Sequence, residues 1–134
     1  MGVVVFDSDV LIGFLNRDDA HHGDAVERVR TSMVPGSRRL LCAVNYAEIM
    51  VGPLRANTHE LVEQMLVQFN IETMIVDMDL ASRAAAVRAR TNLKLPDAFA
   101  LATVIHAEHR GWENVEIASF DTAVLKAHSE LHHD

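Results

Sequence analysis

Four acidic residues occupy positions in the sequence from which their carboxylates could form one reactive site. Asp7 and Asp121 each follow an apolar run, and Glu48 comes shortly after another. Asp97 opens a long apolar helical stretch. Because the carboxyl ends of parallel strands meet at one edge of a sheet, we expect these carboxylates to converge there. Carboxylate oxygens are the ligands that Mg²⁺ and Mn²⁺ prefer, so the spacing predicts metal-assisted cleavage of phosphodiester bonds.

Each of these side chains also has a local structural explanation. Asp7 and Asp121 stand where a turn or helix N-cap is expected. Glu48 comes three residues after Asn45, which is the spacing of a capping box. Asp97 lies in a first helical turn, where the helix dipole favours a carboxylate. A metal site explains all four at once, since like charges gathered at one place destabilise a fold unless a cation offsets them.

The elements that must position these residues alternate between strands and helices. Apolar and β-branched runs predict strands at 3–6, 40–44, 71–76 and 115–119. Helical spacing predicts helices at 9–15, 19–33, 45 to about 52, 58 to about 69, 79–92 and 96–110, with a short one from 121. This alternation predicts an α/β fold, a three-layer α/β/α sandwich around a mostly parallel sheet. The chain is expected to be one domain over 1–134, with a frayed tail at 129–134.

Other polar residues near these elements have mainly structural interpretations. Asp9 is expected to be the N-cap of the first helix, while Asp77 and Asp79 are expected to start a later one. The histidines form no HExxH pattern, and the chain has no P-loop or GxGxxG motif. Cys42 is expected to be a small core residue.

Composition sets broad limits on function. The net charge of −7 argues against a protein that wraps duplex DNA through a basic face. Two local groups of basic residues could still guide a phosphate backbone or be solvated helix faces: Arg38 and Arg39, and Arg83, Arg88, Arg90 and Lys94. The single cysteine suits a reducing compartment. The sequence contains neither a signal-peptide pattern nor an apolar run near 18 residues, so we expect a cytoplasmic protein without membrane association.

Four segments give the chain a resemblance to a known family. They are VFDSDVLI at 5–12, NYAEIMVG at 45–52, LPDAFALA at 95–102 and ASFD at 118–121. In this order and spacing they resemble a PIN-domain ribonuclease, and specifically a VapC-like toxin of a type II toxin–antitoxin pair. The resemblance covers nearly the whole chain and implies a PIN-like fold.

The resemblance implies a definite site and definite partners. The acidic quartet Asp7, Glu48, Asp97 and Asp121 would be catalytic and would hold Mg²⁺ or Mn²⁺. In such enzymes a metal-activated water attacks an RNA phosphodiester and leaves a 5′-phosphate. The resemblance also implies a homodimer and a cognate VapB-like antitoxin, whose C-terminal segment blocks the site.

The site departs from the family pattern at two positions. Asp9 and Ser119 would be neighbours that shape the site, but many members of the family carry Asn or Ser where this chain has Asp9. Many also carry a second acidic residue soon after the position of Asp121, whereas Thr122 and Ala123 follow here. The charge at the metals, and the presence of a second metal, therefore stay open.

Three other functions are compatible with parts of the pattern. A phospho-receiver domain would use Asp7 and Asp9 as its acidic pair and Asp77 as phosphoacceptor, but it needs a late lysine that the segment 119–121 does not provide. A haloacid-dehalogenase-type phosphatase would use Asp7 as nucleophile, yet such enzymes are usually larger and also need a lysine. A catalytically silent binding module of the same fold is the third alternative.

Overall fold

A computed structural model describes residues 2–132 of the chain. Within that range the strands are β1 (Val3–Phe6), β2 (Arg38–Cys42), β3 (Ile71–Met74) and β4 (Val115–Ala118). The helices are α1 (Ser8–Leu15), α2 (His22–Thr31), α3 (Ala43–Ala56), α4 (His59–Gln68), α5 (Met78–Thr91), α6 (Leu95–His109) and α7 (Thr122–His132). Over these residues no helix is long and apolar enough to cross a membrane.

The four strands form one parallel sheet in the order β3-β2-β1-β4. β1 lies inside the sheet, with Val5 opposite both Leu40 of β2 and Ile117 of β4. All strands point the same way, so the segments that follow β1, β2 and β4 begin at one edge of the sheet. The predicted parallel α/β sheet is confirmed.

The sheet separates two apolar cores, and β1 contributes to both. Val3 and Val5 face a core built with α5, α6 and α7. Val4 and Phe6 face the opposite core, built with α1 to α4. This alternation is the period-two geometry of a strand buried on both faces. The three layers match the predicted α/β/α sandwich, and Cys42 is a buried free cysteine in the first core, as expected.

Helix α1 begins differently from the expectation that Asp9 is its N-cap. Asp7 takes that role, because its backbone is already extended (φ −76°, ψ 155°) and its Oδ1 accepts a hydrogen bond from the Ser8 amide at 2.8 Å. Asp9 therefore lies in the first turn of the helix, and its side chain is left for other contacts. Asp77, in contrast, caps α5 as expected, by accepting from the Leu80 amide at 2.8 Å.

Helix α3 also differs from the prediction at both ends. It begins at Ala43, so Asn45 lies inside its first turn and is not the cap. The apolar Val44 was assigned to the preceding strand, but it packs against a core from the helix. The helix was predicted to end at about residue 52, yet α3 continues through Pro53 to Ala56. Asn57 follows it in the left-handed conformation (φ 60°). Asparagine is among the residues that tolerate this conformation best.

The end of the chain is helical over most of the segment that was predicted to fray. Helix α7 continues through His132, whose Nε2 lies 2.7 Å from a carboxylate oxygen of Glu108 on α6. Residues 129–132 are therefore part of the fold, because this contact ties the last turn to its neighbour. The rest of the predicted tail, 133–134, lies outside the described residues.

Candidate metal centre

Asp7 is the most buried carboxylate at this edge of the sheet. It directly follows β1, and its side chain is only 2% exposed. Oδ1 accepts from the Ser8 amide, and Oδ2 accepts from the Ser119 hydroxyl at 2.8 Å. Burial raises the pKa of Asp7 to about 7; the charges of Asp9 and Asp97 add to the rise, and the Ser119 hydrogen bond partly opposes it.

Glu48 is joined to α1 by a network of polar side chains. It accepts a short hydrogen bond from the Ser8 hydroxyl, which comes from the first turn of α1. The fully buried Asn45 donates to Ser8 Oγ at 3.1 Å and to the Pro96 carbonyl at 3.1 Å. It also lies 3.4 Å from Glu48 Oε1. These contacts connect three elements that are distant in the chain. The capping-box interpretation is wrong, because the N-cap of α3 is Cys42, without a side-chain capping hydrogen bond, and Asn45 lies inside the first turn.

Asp97 is brought to the same place by helix α6. The helix begins at Leu95 with Pro96 in its first turn, where a missing amide hydrogen costs nothing. Burial raises the pKa of the half-buried Asp97, and the charges of Asp121, Glu48 and Asp9 raise it further. These interactions place Asp97 in the same electrostatic field as the other carboxylates.

Asp121 and Ser119 reach the site from the end of β4. The Ser119 hydroxyl that donates to Asp7 also accepts from the Asp121 amide, at 3.1 Å. One oxygen of Asp121 accepts from the Ala123 amide at 2.8 Å, which caps the first turn of α7. Capping and proximity to the acidic site are thus compatible for Asp121, as they are for Asp7.

Asp9 is a fifth carboxylate at this edge. Its Oδ2 accepts a hydrogen bond from the Phe120 amide at 2.9 Å, whereas its Oδ1 is buried without a hydrogen-bond partner. Burial raises the pKa of Asp9, and the charge of Asp121 adds to the rise. The site therefore carries one acidic group more than the quartet singled out by spacing. Below, "the acidic site" means Asp7, Asp9, Glu48, Asp97 and Asp121.

The acidic site provides the right donor atoms for a hard cation but not a closed cage. Among residues 2–132 no three His, Cys, Asp or Glu side chains are arranged so that they could hold a metal ion as they stand. Serine hydroxyls and backbone amides orient the carboxylates. The charge of Lys94 offsets the repulsion at Asp97 only in part, since the pKa of Asp97 stays raised. Mg²⁺ suits such an arrangement, because it usually keeps several waters and is bound by only one or two protein carboxylates.

The arginine pair of β2 does not serve this site. Arg38 and Arg39 lie opposite Val3 and Val4, at the start of β1 and thus at the far end of the strand from Asp7. Arg38 forms a 2.8 Å ion pair with Glu72, and Arg39 is 7% exposed and donates to backbone carbonyls. Both are structural, so the idea that they guide a phosphate backbone into the acidic site is wrong.

The strand order also argues against a phospho-receiver arrangement. A receiver would need Asp77 beside Asp7 and Asp9. Asp77 follows β3, however, and β2 lies between β3 and β1. Its carboxylate caps α5 instead.

Comparison with known proteins places this geometry in a family. A family model described as "PIN domain" matches residues 4–130. A toxin–antitoxin complex from Klebsiella pneumoniae contains a chain of similar fold, with 24% identity, a TM-score of 0.64, and coverage of 91% of this chain and 88% of that one. The crystal structure of VapBC2 from Rickettsia felis, bound to a DNA fragment from its promoter, contains another, with 12% identity and a TM-score of 0.52. That likeness covers 89% of this chain and 99% of the other. No curated protein matches significantly.

Proposed function

Because the chain belongs to the PIN domain family, we propose that it is an Mg²⁺- or Mn²⁺-dependent endoribonuclease and the toxin of a toxin–antitoxin pair. The observation that carries the proposal is the acidic site itself. Its carboxylates come from distant segments of the chain, and burial and mutual repulsion raise the pKa of Asp7, Asp9 and Asp97. A fold keeps such a cluster at a cost in stability, which a bound cation would offset.

The residues that would hold the cation are Asp7 and Asp97, with Glu48 and Asp121 as further oxygen donors. When bound, Mg²⁺ or Mn²⁺ supplies a Lewis acid for the phosphate oxygens and lowers the pKa of a bound water. A carboxylate offers about four lone-pair directions, so the two hydrogen bonds that Asp7 accepts leave it able to bind a cation.

The remaining polar groups orient these ligands. Ser119 fixes Asp7, and Ser8 fixes Glu48 through a hydroxyl that Asn45 in turn holds. Such preorganisation matters because displacing a catalytic group by about 1 Å can reduce the rate roughly a hundredfold.

A cognate antitoxin and a homodimer complete the proposal. The toxin–antitoxin complexes of similar fold support an antitoxin as partner. Beside the acidic site an apolar groove runs between α1 and α3, lined by Ile12, Leu15, Ile49 and Pro53, with Glu48 at its rim. An antitoxin segment with an apolar face and a basic side chain would fit both the groove and the negative charge beside it.

A cleavage assay with a matched variant tests the enzymatic part. We expect the protein to cleave RNA with Mg²⁺ or Mn²⁺, and we expect EDTA or Asp97→Asn to abolish cleavage. Asp24→Asn is the control, because Asp24 is also an acidic residue in a first helical turn, but it is exposed and lies in α2. Cleavage that survives EDTA and Asp97→Asn would refute the assignment of the site. An intact toxin–antitoxin complex without any cleavage by the free protein would instead support the silent binding module.

A further inference from the structure

An aromatic pair lies directly beside the acidic site. The imidazole of His21 stacks on the ring of Phe120, with centroids 4.9 Å apart and an interplanar angle of 24°. Phe120 stands in the chain between Ser119 and Asp121, and its amide donates to Asp9 at 2.9 Å. Neither ring has a role in the proposed metal binding or in orienting the carboxylates.

One side of Phe120 contacts the protein interior. Its side chain packs against the core formed with α1 to α4, while His21 covers it from outside. His21 is itself exposed to solvent and close enough to Asp9 for the two charges to interact. The pair thus forms a two-ring stack that begins in the core and ends with an accessible imidazole at the rim of the acidic site.

The position of His21 is fixed by its backbone. Its amide donates to Asp19 Oδ1 at 2.8 Å, and its carbonyl accepts from the Ala25 amide at 2.8 Å. Gly13 of α1 allows the start of α2 to pack closely, since a Cβ at position 13 would lie only 3.2 Å from the Cβ of Ala25. Asp9 lies one helical turn before Gly13, so one face of α1 positions both the acidic residue and the aromatic stack.

We propose that the His21–Phe120 stack binds a nucleobase of single-stranded RNA next to the phosphate that is cleaved. This inference rests on the proposed ribonuclease function and extends it to substrate recognition. A chain of net charge −7 with five carboxylates at its site repels a polyanion, and the charge of Lys94 beside Asp97 offsets only part of this. The arginine pair lies at the far end of the sheet. Base stacking needs no positive charge and tolerates any base sequence, because every base has a π-face. An imidazole stacked on a core-anchored phenyl ring provides such a surface.

Fluorescence of 2-aminopurine tests the stack without relying on cleavage. Short single-stranded RNAs with 2-aminopurine at successive positions are mixed with the Asp97→Asn variant in Mn²⁺, and stacking on a ring quenches the signal. We expect quenching at one position. His21→Ala is expected to remove that quenching and to weaken binding roughly tenfold, which is the size of one base–aromatic stack. His21→Phe is expected to restore both, whereas the exposed His109 on α6 provides the control His109→Ala.

A second variant guards against a local folding defect at position 21. Phe120→Leu keeps an apolar side chain on the core but removes the ring beneath the imidazole, so it too is expected to weaken binding at the same position. In the otherwise wild-type protein, His21→Ala is expected to raise KM for RNA more than it lowers kcat. Quenching and KM unchanged in both variants would overturn the proposal.

Other outcomes identify a different role and also overturn the proposal. If His21→Ala lowers RNA cleavage and changes the pH profile of kcat, and His21→Phe does not restore cleavage, then His21 acts by proton transfer rather than by stacking. If His21→Ala and Phe120→Leu change only the affinity for an antitoxin peptide, and not the binding of RNA, then the stack binds protein. Failure of the wild-type protein to cleave RNA would refute the proposed function. If the wild-type protein cleaves RNA and His21→Ala changes neither the quenching nor KM, only the proposed role of the stack is refuted.

Discussion

Replacing Asp7 by asparagine is expected to stabilise the metal-free protein at neutral and alkaline pH. The carboxyl is 2% exposed, and burial is the main reason that its pKa is about 7 when the ordinary value is 3.8. A raised folded-state pKa means that the folded protein holds the proton more tightly. The contribution of this proton to the stability of the folded wild-type protein is fully present below pH 3.8 and is lost as the pH rises through about 7.

The size of the effect follows from the two pKa values. The difference between 3.8 and about 7, at about 1.4 kcal/mol for each pH unit, is on the order of 4 kcal/mol at pH 8. Asparagine keeps the local geometry, because its oxygen still accepts from the Ser8 amide and its amide group donates to Ser119 Oγ. At roughly 4 °C per kcal/mol for a chain of this size, Asp7→Asn should unfold on the order of 16 °C above the wild type at pH 8.

Thermal unfolding in EDTA between pH 5 and pH 8 measures this effect. The difference in Tm between Asp7→Asn and wild type should grow with pH, because only the wild type carries the buried Asp7 carboxyl, which ionises as the pH rises. Asp24→Asn, at an exposed position, should follow the wild type. The reasoning is refuted if the difference in Tm does not change with pH, or if Asp7→Asn is the less stable protein at pH 8.

Three further results are expected from the same site. Mn²⁺ at about one hundred times its Kd should stabilise the wild type by about 2.7 kcal/mol in thermal unfolding, and Asp7→Asn should lose most of that gain; an equal gain would place the ion elsewhere. Asn45→Ala should lower the free energy of unfolding in urea by roughly 1–3 kcal/mol, because the fully buried amide group of Asn45 no longer donates to Ser8 Oγ and to the Pro96 carbonyl; an unchanged midpoint would contradict this. Asp9→Asn should raise stability at pH 8 in EDTA while keeping the hydrogen bond from Phe120, and a loss of stability would show that its charge is needed for folding.

The positions of Asp7, Asp97 and Asp121 could be predicted because short-range patterns determine them. A β-branched run that ends in Asp7, or a Pro-Asp pair before a long apolar stretch, fixes where a strand stops or a helix starts. The parallel arrangement of the strands then brings these points to one edge. Neither step requires knowledge of which side chains touch.

The contacts themselves could not be predicted, because the partners are distant in the chain. Glu48 has a plausible local partner in Asn45, but it also accepts a hydrogen bond from the hydroxyl of Ser8, 40 residues away. Asp9 accepts from Phe120, 111 residues away. Local spacing assigns both acids to helix caps, since it compares only residues within a turn of each other. The stacking of His21 gives no signal in the sequence for the same reason.

Helix capping and cation binding draw on different lone pairs of a carboxylate, so the observed capping by Asp7 is compatible with the proposed role of Asp7 as a metal ligand. The hydrogen bonds from Ser8 and Ser119 orient the side chain but do not outweigh its burial, since the pKa stays raised. Binding of a proton or of a cation would therefore neutralise the charge of the buried carboxylate. A proton and a cation would compete for Asp7, so we expect a fall in pH to stabilise the metal-free protein and to weaken the proposed metal binding through the same group. Because replacing Asp7 is expected to stabilise the metal-free protein but to remove a proposed cation ligand, we interpret the cost of burying this carboxylate as a consequence of the proposed function.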